Sequence, residues 1–291
     1  MAGTTLSIAV GAPRANAKPV LALHNRRGEV VLWAKTSTND LTAGLVRHEH
    51  HVLSALATRP PASFEAPATL GLLDLATGPA LLMRPLVSAS SRPAPADTVP
   101  ADVVAVVAEL ATRAGVVAMT AGRWSPLGPD APREATALLH LWHSRHRGPV
   151  PVGAWHGDFG PWNMRRTASR AQVWDWERAE TGAPLGVDAV HYGSHVVLRG
   201  QDVRASLEHL RAVAVPAVER VLRAAGAPDT TADAVVDAYL LLVHRRFASE
   251  GAAEGTGAVL ALAAHYAEVL RARPDPSAPR HPHDRKETEH P

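Results

Sequence analysis

From residue 101 to residue 272 the chain is written in helical period, and one interruption, residues 150–177, breaks it. Short extended runs at 152–155, 164–167 and 172–176 surround a Gly- and Pro-bearing loop there, with helix-forming sequence on both sides. The expected helices are 101–120, 133–147, 188–199, 202–225, 231–247 and 256–272.

Residues 1–86 have a different texture. Strand-like runs at 6–10, 20–24 and 30–35 are followed by a helical one, and Asn25-Arg26-Arg27-Gly28 supplies hairpin chemistry between the second and third. Asn39 or Asp40 is placed to cap a helix reaching about Thr58, whose Leu41, Leu45, Val46, Val52, Leu53 and Leu56 keep helical spacing until Arg59-Pro60-Pro61 ends it. Strands at 69–75 and 79–86 follow, with Thr77-Gly78 at the turn. The Ser-, Pro- and Ala-rich stretch 87–100 reads as a linker, and 273–291, with five prolines, as a disordered tail. The expected organisation is α+β: a lobe at 1–86 with a small antiparallel sheet and one helix, a mainly helical lobe at 87–272, and the tail.

Composition narrows the function classes. Hydrophobic residues are 46% of the 291 but aromatics only 4%, so the core must be built mostly of Ala, Val and Leu. The absence of cysteine excludes disulfides, thiolate zinc sites, iron–sulfur clusters and a cysteine nucleophile. A net charge of +2 gives no electrostatic case for nucleic acid or an anionic membrane. No run approaches the roughly 18 apolar residues of a spanning helix, and 6–10 is too short for a signal peptide. A soluble, cytoplasmic protein with neither nucleic-acid nor membrane partner is expected; the sequence does not set its oligomeric state.

The densest chemical signal is Trp155-His156-Gly157-Asp158-Phe159-Gly160-Pro161-Trp162-Asn163, followed by Val173-Trp174-Asp175-Trp176-Glu177. Asp158 ends an extended run at a tight turn, and Asn163 lies where that turn folds its amide back toward the same pocket. Asp175 falls in a second extended run, expected to pair with the first as a hairpin. Two carboxylates and an amide oxygen then converge: hard ligands suited to Mg²⁺, with one carboxylate free to accept a proton. Taken singly, each is an ordinary turn residue; the combination is not.

His-Gly-Asp-x4-Asn followed by a strand Asp resembles the aminoglycoside phosphotransferase and choline kinase-like family, a small-molecule branch of the protein-kinase-like fold. The resemblance spans about residues 5–272 and is strongest at 155–188. It implies a bilobal fold and an ATP- and Mg²⁺-dependent phosphotransferase acting on a hydroxyl of a small molecule. Asp158 would be the catalytic base, Asn163 and Asp175 the metal ligands, and His156 a structural brace. Lys35, the only lysine between Lys18 and Lys286, would hold the α/β-phosphates, oriented by Glu49; the alternative is a solvated edge-strand lysine. Residues 81–86 resemble the hinge, where a backbone N–H of Met83, Arg84 or Leu86 would meet the adenine, Pro85 having none. The family pattern fails at 11–18, where a phosphate loop with a single glycine offers only Arg14 or Lys18 to phosphate. A nucleotide-binding module without turnover is the alternative reading, and a metal-dependent hydrolase would leave Lys35 unexplained. Asp188 is expected to cap the helix it begins. His191 and His195, like His140, His143 and His146, are taken as chance spacings without a metal role. Around the acceptor, Glu177, Glu180, Asp188 and Glu250 are offset by Arg165, Arg166, Arg178, Arg245 and Arg246, so an aminoglycoside, a sugar and an amino alcohol stay equally open.

Overall fold

A computed structural model of the chain describes residues 4–9, 16–86, 98–129, 131–255 and 257–275. The first lobe opens with β1 (Thr5–Ala9), β2 (Val20–His24) and β3 (Val30–Thr36). The β2–β3 turn closes as its residues dictate: Asn25 Oδ1 accepts from the backbone N–H of Arg27 and Glu29, and Gly28 takes φ 77°. Helix α1 (Asp40–Thr58) starts with a reciprocal cap, Thr42 N–H to Asn39 Oδ1 at 2.9 Å and Asn39 N–H to Thr42 Oγ1 at 3.0 Å. After β4 (Phe64–Glu65), strands β5 (Thr69–Leu75) and β6 (Gly78–Met83) complete a five-stranded antiparallel sheet in the order β1-β2-β3-β6-β5. Strand β3 is central, so Lys35 is not an edge residue.

The second lobe comprises α2 (Ala101–Arg113), α3 (Arg133–Arg145), strands β7 (Val152–Trp155), β8 (Met164–Arg166), β9 (Ala171–Val173) and β10 (Glu180–Pro184), and then α4 (Val187–Leu198), α5 (Val203–His209), α6 (Val215–Ala224), α7 (Ala232–Glu254) and α8 (Gly257–Ala272). A π-helical turn, Leu210–Ala214, joins α5 to α6. Val235, Val236, Tyr239, Leu240 and Val243 of α7 are all buried although they point in different directions. A helix apolar all round runs through the middle of its lobe. The architecture is bilobal and α+β, as the sequence implies.

Two apolar clusters hold the molecule. One fills the helical lobe around Trp124, Trp142, α7 and α8. The other crosses between lobes, joining Val46 and Leu53 of α1 and Leu81 of β6 to Val103 and Val107 of α2 and to Phe159, Val173 and Trp176. Strand β4 adds to this bridge by pairing in parallel with β9.

Several boundaries differ from expectation. The α2 helix stops at Arg113 because the chain turns at Gly115, φ 89°, so that Val117 and Thr120 can bridge to Val152 and Pro149. The α7 helix runs on to Glu254, ended by Gly255 in the left-handed conformation. The larger correction concerns pairing. The first extended run, β7, pairs with β10, whereas β8 pairs with β9, so the expected hairpin of runs 152–155 and 172–176 does not form. Asp175 lies beyond β9, at the start of a 3₁₀ turn, Trp176–Arg178. Arg273 is anchored by Asp233 and Asp237 and so belongs to the folded body rather than the tail. The rest of the expected tail, residues 276–291, lies outside the described residues, as do 87–97 of the linker and 11–15 of the loop with Arg14. Among the described residues no helix is long and apolar enough to cross a membrane.

Candidate active site

One half of the site is built from β3, α1 and the turn after β9. Glu49 belongs to the buried stripe of α1 that includes Val46, Leu53 and Leu56, and that placement forces its carboxylate to find partners. Its oxygens accept from Lys35 Nζ at 2.8 and 2.7 Å, and Oε1 also accepts from the Trp176 backbone N–H at 3.2 Å. Lys35 Nζ donates to Asp175 Oδ1 at 2.6 Å as well. Burial works against the lysine's charge, but the carboxylates of Glu49, Asp175 and Glu177 outweigh it and hold the ammonium above its ordinary pKa. Asp175 adopts φ 68°, ψ 56°, the one left-handed non-glycine among the described residues. Backbone there disfavours most L-residues but is tolerated by Asp. Burial pushes its carboxyl pKa up; Lys35 outweighs that and brings it down. Glu177 is buried and pairs with Lys18 at 2.7 Å, while burial and the neighbouring Asp175 push its pKa up. Oxygens of Glu49, Asp175 and Glu177 lie within 4.8 Å of one another.

The other half is the loop between β7 and β8. Asn163 Nδ2 donates to the carbonyl of Asp158 at 2.9 Å and to its Oδ2 at 3.0 Å, so the turn does fold the amide back. Trp162 Nε1 reaches Oδ2 at 3.4 Å, and His191 Nε2 meets Oδ1 at 3.2 Å. Burial opposes ionisation of Asp158; the His191 hydrogen bond, Arg246 and Trp162 prevail and hold the carboxyl well below the usual carboxylate range.

The loop is clamped from beneath. His156 Nε2–H donates to the Trp174 carbonyl at 3.0 Å while Nδ1 accepts from the Asp158 backbone N–H at 3.3 Å, an assignment that makes the ring neutral. Burial agrees, lowering its pKa to about 4. Asp188 does not cap α4, whose N-cap is Gly186. Its buried carboxylate instead accepts from the backbone N–H groups of His156 at 2.7 Å and Gly157 at 3.3 Å, and burial pushes its pKa up to about 7. At Gly157, φ 82°, a Cβ would lie 2.2 Å from the Arg178 carbonyl oxygen, so only glycine fits.

A cavity of about 1110 Å³ opens between the lobes. It is lined by Lys35 and Trp33 from the sheet, Glu49 from α1, Met83 at the end of β6, Arg84 and Leu86 after it, and Asn163 and Asp175 from the second lobe. Asp158 joins this group through Asn163. The Arg84 N–H is committed to the Ala68 carbonyl at 2.8 Å, which withdraws it from the three expected hinge donors. His191 is the residue sequence reasoning passed over. It touches Asp158 because α4 packs against the loop, and its spacing from His195, i to i+4, points instead to metals. The ion pair of Lys18 with Glu177 likewise carries no signal in the sequence.

Neither protein-family models nor curated proteins match the chain. Solved structures do. An aminoglycoside 2″-phosphotransferase of type IIIa, in complex with GDP and kanamycin, superposes with TM-score 0.53 at 13% identity over 91% of this chain and 93% of that one. A thermostable mutant of the aminoglycoside phosphotransferase APH(4)-Ia superposes with TM-score 0.53 at 14% identity, over 92% and 95%. The fold is that of the aminoglycoside phosphotransferases. In a chain of this fold the cleft that holds Lys35, Glu49 and Asp175 lies between the sheet lobe and the helical lobe, with the 156–163 loop beside it.

Proposed function

We propose that the protein is a small-molecule kinase that moves the γ-phosphoryl group of ATP to a hydroxyl in a Mg²⁺-dependent reaction. The observation that carries this reading is the gathering of Lys35, Glu49, Asn163 and Asp175 around one cleft, with Asp158 hydrogen-bonded to Asn163. On this reading the adenine sits against the stretch after β6, with the N–H of Met83 or Leu86 as donor. Lys35, kept charged and aimed by Glu49, binds the α/β-phosphates.

The donor set fits a divalent cation. Asp175 is ionised, and Asn163, whose Nδ2 is taken by Asp158, has its carbonyl Oδ1 left to coordinate; these two residues would hold Mg²⁺. The ion, when bound, supplies neutralisation of phosphate charge. The chain's own residues do the rest. Asp158, pinned on one oxygen by His191 and on the other by Asn163, orients the acceptor hydroxyl. The hydroxyl oxygen forms the new bond to γ-phosphorus as the bond from phosphorus to the β–γ bridging oxygen breaks. ADP leaves with that oxygen, and the hydroxyl proton passes to Asp158. A strongly ionised aspartate is a weak base, which suits a reaction whose catalysis is mostly positioning and charge stabilisation.

Titrating the protein with a fluorescent ATP analogue, with and without Mg²⁺, tests the reading. Saturable Mg²⁺-dependent binding that disappears in Asp175→Ala is the expected result, and Mg²⁺-independent binding unchanged in Asp175→Ala refutes the metal assignment. ADP release with an acceptor present separates the kinase from a binding module without turnover.

A further inference from the structure

The charges around Asp158 bear on the acceptor, an inference that rests on the kinase reading and deepens it. By sequence the acidic and basic candidates balance; in space they do not. Glu177 is buried against Lys18, and Asp188 lies beneath the backbone of 156–157. Glu250 pairs with Arg178 at 2.7 Å, and Glu180, exposed and the cross-strand partner of Trp155, lines a cavity between α1 and α2 together with that tryptophan. Three of the four carboxylates are already engaged by other groups.

The arginines sort the other way. Arg166 pairs with Asp102, Arg245 bonds the Pro126 carbonyl, and Arg165 lines the nucleotide cleft. Arg246 forms no ion pair among the described residues. It sits on α7 one turn before Glu250, with its guanidinium 5.5 Å from the centre of the Trp155 ring, three residues ahead of Asp158. Its charge reaches the Asp158 carboxyl, which it helps to keep ionised; burial and Arg178 lower its own pKa against the pull of Asp158 and Glu250. Arg199, 5.2 Å over the Phe247 ring, also lacks a carboxylate partner among the described residues. Trp162, 41% exposed, lies on the same side with its ring against His191 and His195.

The carboxylates of Asp158 and Glu250 attract the half-buried Arg246 guanidinium without pairing with it, and a cation so removed from water is incompletely compensated. Beside a residue that orients the acceptor, it has a chemical use when the acceptor brings the anion. We propose that the acceptor is an anionic hydroxyl compound whose carboxylate or phosphate pairs with Arg246, with Arg199 as a second cation and Trp162 as the apolar face against its carbon skeleton. The same charges disfavour polycationic acceptors.

Calorimetric titration of the full chain tests this, first with Mg²⁺ and AMP-PNP or GMP-PNP, then with glycerate, glycerol 3-phosphate or kanamycin added to the loaded protein. Binding of at least one of the two anions is expected, weakened by added salt, with kanamycin giving no heat. Which anion binds separates carboxylate from phosphate. Arg246→Gln should weaken that binding about 10- to 100-fold, and Arg246→Lys should recover part of it. Circular dichroism reports whether Arg246→Gln folds; if it does not, the exposed Arg199→Gln replaces it, with a several-fold loss expected. Binding of kanamycin, failure of both anions to bind, or anion affinity unchanged in the folded variants overturns the proposal. Failure of both nucleotides to bind in the first titration removes the kinase reading instead, a result separate from anion binding that depends on Arg246.

Discussion

The two halves of the cleft solve opposite electrostatic problems. On the sheet side charges are paired off: Lys35 with Glu49 and Asp175, and Lys18 with Glu177, all within 2.8 Å. On the helical side the contacts run through neutral rings. Asp158 meets His191, His191 Nδ1 meets the Tyr239 hydroxyl at 3.3 Å, and His195 lies at 3.3 Å from both Tyr239 and Tyr266. The positive charge that reaches Asp158 there is that of Arg246. Ion pairs aim a cation at a polyanionic nucleotide while keeping it charged; a neutral network fixes a carboxylate without discharging it. A site that must bind phosphate on one side and accept a proton on the other needs both.

Asp158→Asn breaks the comparison most severely. It keeps the shape and removes the proton acceptor, so turnover should fall about 10²- to 10⁴-fold while Mg²⁺-dependent nucleotide affinity, set by the sheet side, changes little. Loss of both together, measured by ADP release and analogue binding, would mean that the halves are not separable. Glu49→Ala attacks the other half. Removing one partner of a buried ion pair leaves charge uncompensated, and about 3 kcal/mol of stability should be lost, read as a lower urea midpoint. Because Lys35 retains Asp175, the loss should fall at the low end of the range for such pairs, and Lys35→Met in the same background should cost little more.

His191→Leu sharpens the comparison. A hydrogen bond to a charged group is lost, so turnover should fall about 10-fold with nucleotide affinity unaltered, and His191→Asn, which keeps a donor, should recover part of it. A loss confined to thermal stability, with turnover intact, would reduce His191 to a core residue. Tyr239→Phe, one contact further from Asp158, should have a smaller effect in the same direction.

What could be read in the sequence follows the same division. Asp158 and Asn163 share one turn, and Lys35 and Glu49 are joined by a single loop and a capped helix. Local spacing therefore carries both pairs. Residues brought together by packing were not legible. The β7 strand passes over the nearby run and pairs with β10, a choice made by the 3₁₀ turn and the left-handed Asp175 between them. Asp188 has the position and type of a helix cap, and only the burial of α4 beneath the loop converts it into a clamp on His156 and Gly157. His191 and Arg246 act on Asp158 directly and Tyr239 through His191, from helices 33 to 88 residues further along the chain, where no pattern in the sequence ties them to the loop.

The smallest effect concerns the clamp beneath the loop and its pH dependence. His156 has a folded pKa near 4, below its ordinary value of about 6.5, because burial disfavours the charged ring. Its contribution is complete above pH 6.5 and is lost as pH falls toward 4. His195, lowered by burial to about 2, acts in the same direction. Asp188 opposes both. Burial raises its folded pKa to about 7, so its contribution is complete below its ordinary value near 4 and is lost as pH rises through 7. Between pH 4 and 6.5 two histidines oppose one aspartate, so these groups together should make stability, measured by urea unfolding, rise with pH by about 1.4 kcal/mol per unit, the slope of one group rather than of two. In Asp188→Asn the opposing slope is gone, and the loss of stability on acidification should steepen. An unchanged slope in that variant would mean that Asp188 titrates as it does in the unfolded chain, and the buried carboxylate would no longer account for the rigidity of the turn at Asp158.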